Sequence, residues 1–233
     1  MLPEFYLVVA ACLLLLLDAF MSGTERPALH WLSIGVLLVG IYLVIAGQPA
    51  QTVTAFGGMF VRDSVAEILK VFVLLTTAIV FVYARPYLIA RKLVTGEFYT
   101  LMIFAVIGVM LLVSAGNLVT VYLGLELLSL SSYALVALNR DAKLPSEAAI
   151  KYFVLGALAS GMLLYGMSMV YGASGMGGSP TLDLARLHHV ASYTTSPQLL
   201  LFALAFGMAY RLLDGRVGLS CSSCPMPCVV SFG

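Results

Sequence analysis

NLVTVYLGLELLSLSSYALVAL, residues 117–138, decides the class of this protein. As a helix it is long enough to cross the roughly 30 Å of hydrocarbon in a bilayer. One carboxylate, Glu126, interrupts it close to its midpoint. A charge at that depth costs roughly 3 kcal/mol on insertion scales, and an ionisable group inside a membrane is a functional candidate by default. Buried carboxyls as a class hold their protons to higher pH than carboxyls in water, so they can load and release one near neutral pH. The alternative is a packing device, a neutral Glu126 hydrogen-bonded to an adjacent helix. Tyr122 and Ser129 lie one turn either side of it, and Ser131, Ser132 and Tyr133 follow. The spacing predicts a helix side whose hydroxyls hold water or bond a neighbour.

The rest of the chain agrees with a membrane setting. Of its 233 residues, 61% are hydrophobic and 10% charged, with mean hydropathy +1.04. A soluble domain is roughly half apolar and a quarter charged. Short alternating segments of a β-barrel are missing from the sequence, and the net charge of +1 carries no nucleic-acid footprint. The sequence predicts an all-α integral membrane protein with about seven spans: 4–20, 29–46, 65–84, 98–115, 117–138, 147–171 and 197–213. Breakers stand at the joints: Gly23, Pro27, Gly47-Gln48-Pro49, Pro86, Gly116-Asn117 and Pro145-Ser146. Ser146 before Glu147 suits an N-cap with an acidic first turn. The first span has no basic start and carries Glu4, so it reads as a retained helix rather than a signal peptide.

Lys and Arg set an orientation. Arg26, Arg85, Arg91, Lys92, Arg140 and Lys143 fall in one set of loops, and Arg62 and Arg186 in the other. The richer set is expected in the cytoplasm, with the N-terminus outside. Within the longest connector, 172–198, TLDLARLHHV suggests a short interfacial helix.

The remaining ionisable groups have plainer readings. Lys151, four residues after Glu147, can snorkel to the cytoplasmic surface or pair with Glu147, and on physics alone snorkelling is preferred. Glu67 and Lys70, near the outer end of the third span, suit a local i, i+3 ion pair that anchors the interface; a second charge site inside the bundle is the alternative. Arg211 is either an interfacial stop or an intramembrane charge. Adjacent His188 and His189 point different ways on a helix, which disfavours a metal site. Cys221 and Cys224 have CxxC spacing, followed by Cys228, with no second pair and no nearby His. No metal site and no cofactor of any kind is expected within this chain, and no flavin, iron–sulfur or haem ligand set is recognisable.

Two stretches together, LGLELLSLSSYALVAL (123–138) and PSEAAIKYFVLGALASGMLLYG (145–166), closely resemble subunit N of bacterial NADH–quinone oxidoreductase, respiratory complex I, and its mitochondrial relative, NADH dehydrogenase subunit 2. The resemblance implies an antiporter-like fold of about fourteen helices in two inverted repeats, of which 1–213 is the first half. It implies a membrane-arm subunit of the bacterial inner membrane that moves protons as quinone is reduced elsewhere. NADH and ubiquinone are then used by the whole complex, the partners are the other membrane-arm subunits and lipid, and quinone lies nearby. The family's helix-5 glutamate falls on Glu126 and its helix-6 lysine on Lys151, a charge couple, which replaces the snorkelling reading. Arg211 stands where the family has a lysine in a broken helix, and arginine holds its proton too firmly to pass it on. Residues 214–233, DGRVGLSCSSCPMPCVVSFG, depart from the family pattern and read as an out-of-frame tail. Two further readings stand beside the first: a subunit of a multisubunit cation/proton antiporter, and a truncated, non-functional fragment.

Overall fold

The structure, a computed structural model, describes residues 2–20, 27–48, 52–90, 96–138, 143–175 and 180–187. It divides into two compact units, 1–149 and 150–233. The elements in order are α1 (Leu2–Phe20), α2 (Pro27–Ala46), β1 (Val53–Ala55), β2 (Phe60–Arg62), α3 (Ser64–Ala90), α4 (Gly96–Val113), α5 (Leu118–Val136) and α6 (Lys143–Ser174). Six described helices are long and apolar enough to cross a membrane. The first six predicted spans therefore each correspond to a helix; the seventh, 197–213, and the tail 214–233 lie outside the described residues.

In the first unit, α1 to α4 surround a core of Leu7, Ala11, Leu14, Leu37, Val44, Leu74, Phe81, Ile103, Ile107 and Met110. Outward positions such as Phe5, Leu13, Trp31, Ile68, Phe72 and Tyr83 remain exposed and apolar, as helix faces turned to lipid require. The first span is part of this bundle, with Leu7 and Ala11 at 0% exposure.

Three boundaries differ from the sequence reading. Pro86 lies inside α3 instead of ending it, and the helix runs on to Ala90. Leu88 is buried beyond the proline, so packing holds a turn that the missing N–H weakens. The helix α6 begins at Lys143, which puts Ser146 within its first turn rather than at its cap. Pro145 is tolerated there because first-turn amides have no intrahelical acceptor. Residues 53–62, read as loop, form an antiparallel hairpin pairing Val53 with Arg62, Thr54 with Val61 and Ala55 with Phe60. Phe56, Gly57 and Gly58 turn it with positive φ of 53°, 64° and 93°.

That hairpin closes one end of the first unit. Val61 N–H donates to the Ser114 carbonyl at 2.8 Å, and Gly116 N–H donates to the Met59 carbonyl at 2.9 Å. Thr120 Oγ1 adds a bond to the same Met59 carbonyl at 3.1 Å. A Cβ at Gly116 would collide with the Gly58 carbonyl, so only glycine lets the α4–α5 turn approach this closely.

In the second unit, a single helical turn at 184–187 stands where an interfacial helix was predicted. Leu187 N–H reaches the Asp183 carbonyl at 2.9 Å. Thr181 N–H donates to Ser174 Oγ at 2.9 Å, tying this turn to the end of α6.

Candidate functional site

Helix α5 carries Glu126 and is fixed at two places. Asn117, in extended conformation, caps its start by accepting the Val119 N–H on Oδ1 at 2.9 Å. Gly124 then faces Gly108 of α4, and a Cβ on either glycine would sit 2.9 Å from the other's carbonyl oxygen. This backbone-to-backbone seam holds the turn that contains Glu126 against α4, as small residues do between membrane helices.

Glu126 is half-buried, nine residues after the cap, about 13 Å along the helix. Its carboxylate has no hydrogen-bond or ion-pair partner among the described residues. The neighbouring hydroxyls do not converge on it. Ser129 Oγ donates to the Glu126 backbone carbonyl at 3.0 Å, Ser131 Oγ to Leu127 at 2.7 Å and Ser132 Oγ to Leu128 at 2.9 Å. Serines within helices commonly turn their protons back on their own helix in this way. Of the predicted row of hydroxyls, these three serines thus spend their protons locally and keep only acceptor lone pairs for a partner.

Lys151 belongs to the second unit, eight residues after the start of α6, about 12 Å into the helix. That is twice the depth expected from a helix beginning at Glu147. Its side chain is exposed and engages other groups. Arg211, His188, His189, Cys221, Cys224 and Cys228 lie outside the described residues.

The first unit contains a charge cluster around Glu67 and Lys70, a pair whose spacing suggests interfacial anchoring, with a charge site inside the bundle as the alternative. Lys70 and Glu67 are both at 0% exposure, which overturns the anchoring reading. Lys70 Nζ donates to Glu4 Oε1 at 2.7 Å and to Glu67 Oε1 at 3.2 Å. Arg62 Nε donates to the same Glu67 Oε1 at 2.8 Å, while its Nη2 donates to the Gly47 carbonyl at 2.8 Å. Lys70 Nζ also lies 5.1 Å from the centroid of the Phe60 ring, a distance at which the ring face attracts a cation. Four elements meet here: α1 gives Glu4, the end of α2 a carbonyl, β2 gives Arg62, and α3 gives Glu67 and Lys70. The i, i+3 spacing of Glu67 and Lys70 disclosed one bond; Glu4 stands 66 residues from Lys70, a pairing that no local pattern exposes.

At the opposite end, buried His30 Nδ1 meets the Tyr99 hydroxyl at 3.1 Å, joining the first turns of α2 and α4. Phe81 and Phe98 both stand edge-on to Tyr99.

Comparison with known proteins gives this arrangement a family. Residues 1–83 match the N-terminal family of NAD(P)H-quinone oxidoreductase subunit 2. Residues 115–213 match the transmembrane family of NADH:quinone oxidoreductase and Mrp antiporter subunits. The fold and these matches thus define an antiporter-like membrane protein. More narrowly, the chain is similar over 91% of its length to NADH-quinone oxidoreductase subunit N. The subunit N of Halorhodospira halophila is 45% identical over 214 residues, 91% of this chain and 43% of the relative. That of Nitrosomonas europaea is 48% identical over 188 residues, 80% of this chain and 38% of the relative. A chain of respiratory complex I from Thermus thermophilus with bound aureothin superposes with TM-score 0.66 at 27% identity, covering 92% of this chain and 46% of its own. An archaeal membrane-bound sulfane sulfur reductase has the same TM-score of 0.66 at 18% identity, covering 88% of this chain and 42% of its own, a likeness of fold. The chain spans less than half the length of the curated relatives it matches.

Proposed function

We propose that this chain is a proton-translocating membrane-arm subunit of a bacterial NADH–quinone oxidoreductase, with Glu126 as the group that takes up and releases the proton. The observation that carries the reading is Glu126 itself: a carboxylate in the middle of an apolar span, on a helix pinned by Asn117 and by the Gly108–Gly124 seam. A group that only glued helices together would be expected to have a partner, and Glu126 has none among the described residues. The names of relatives at 45% and 46% identity, each over 91% of this chain, support the assignment of the complex.

Lys151 is proposed as the charge partner. An ammonium close to a carboxylate favours the ionised form, and its withdrawal favours protonation; two such states differing in proton affinity are what a pump needs. Arg211 is proposed as a fixed positive charge that biases the path without passing its own proton. NADH oxidation and quinone reduction belong to the other subunits of the assembly. The excess of Lys and Arg in one set of loops supports the bacterial inner membrane with the N-terminus on the periplasmic side.

The test is Glu126→Gln in the assembled complex, reconstituted in vesicles. The expected outcome is a clear fall in protons moved per NADH oxidised, with assembly retained. Wild-type proton movement in a fully assembled variant contradicts the proposal. Cation-dependent proton flux without NADH would instead favour an antiporter subunit, the other class in the matching family.

A further inference from the structure

The Glu4–Lys70–Glu67–Arg62 cluster plays no part in the Glu126 reading, and its geometry asks for a separate account. Burying ions costs several kcal/mol each, and apolar side chains of similar volume usually hold helices together as well or better. A cluster kept only as glue is therefore an expensive choice in a bundle this apolar. Its bonds are also unevenly placed. Both cations that reach Glu67 donate to one oxygen, Oε1. The other, Oε2, is buried and receives no hydrogen bond among the described residues. Such a carboxyl can take a proton on Oε2 with every existing donor left in place, because the carbonyl oxygen of a neutral acid still accepts hydrogen bonds.

We infer that Glu67 is a second proton-binding group, loaded on Oε2 from water at the hairpin end when Lys70 shifts its ammonium wholly onto Glu4. Lys70 already has two receivers, at 2.7 Å on Glu4 and 3.2 Å on Glu67, so the shift is small. The cluster comes nearest to water at Arg62, whose side chain is 18% exposed, against 0% for Glu67. With all four groups ionised the cluster is neutral; with Glu67 protonated it carries one positive charge. The proton arrives from water and returns there when Lys70 swings back, so the cycle balances.

The charged groups around Glu67 are Glu4 from α1, Arg62 from β2 and Lys70 from α3 itself. Asp63, at the start of α3, is engaged in accepting the Ser64 N–H at 2.8 Å. Glu97, the one charged residue of α4, lies in that helix's first turn, at the opposite end. Glu126 is on α5, about 13 Å along from the hairpin end.

The experiment uses the full chain in lipid nanodiscs, carrying Glu126→Gln throughout so that failure of the Glu126 reading cannot imitate failure here. Infrared difference spectra are recorded between about pH 4 and pH 9, a range bracketing ordinary carboxyl titration. The expected result is a neutral-carboxyl band that grows as pH falls and is lost in Glu67→Gln. Arg62→Gln and Lys70→Met should each raise its midpoint by about one pH unit or more, since each removes a positive neighbour. Arg62 reaches the surface, so its variant keeps the test decisive should Lys70→Met not fold. Identical spectra with and without Glu67→Gln, or a midpoint unmoved by Arg62→Gln, overturn the inference.

Discussion

Two carboxylates in neighbouring regions of the first unit are treated in opposite ways. Glu67, at the hairpin end, is wholly buried and takes two charge-assisted bonds on one oxygen. Glu126, midway along α5, is half-buried and its carboxylate has no partner among the described residues. The first is held by cations drawn from α3 and β2; the second is held only through its backbone, by a cap and a glycine seam. The difference teaches that losing the shared cation should be felt first as stability at Glu67, whereas losing the acid at Glu126 should be felt as function.

The comparison breaks first at Lys70. Lys70→Met leaves Glu4 and Glu67 without their shared cation and should destabilise the chain by about 3–5 kcal/mol, read from unfolding in detergent or lipid. Glu126→Gln should cost under about 1 kcal/mol in the same assay, since no described pairing is lost; an equal loss for both would erase the contrast. At the seam, Gly124→Ala should cost about 1–3 kcal/mol through overpacking against α4, with a matching loss of proton movement as α5 is pushed away. Asn117→Ala removes the cap of α5 and should cost about 1 kcal/mol, visible as faster amide exchange in the first turn. Ser129→Ala should change stability by no more than about 0.5 kcal/mol and leave proton movement intact, because its hydroxyl proton serves the Glu126 backbone rather than the carboxylate. A large pumping defect in that variant would mean that Ser129 orients the acid after all.

Periodicity and length made the helices legible, because about 20 apolar residues in a row have few other uses. Glu126 stood out for the same reason: a charge in an apolar run needs no partner to be noticed. The hairpin was less visible, although Val53-Thr54-Ala55 and Phe60-Val61-Arg62 flank a Gly-Gly turn, since strands of three residues carry little pattern. The ion cluster could not be read at all beyond Glu67 and Lys70. Its other members come from α1 and β2, and long-range pairing leaves no mark on local spacing. Pro145 reads locally as a breaker, yet its position suits a first turn, so α6 starts earlier than the pattern suggests.

The central claim is that Glu126 changes its protonation state as the assembly works. Time-resolved infrared spectroscopy of the reconstituted complex during NADH oxidation reads this directly. A carboxyl band that appears and disappears within each turnover, and is missing in Glu126→Gln, is the predicted result. A Glu126 signal that stays fixed while protons are pumped at the wild-type ratio would contradict the account.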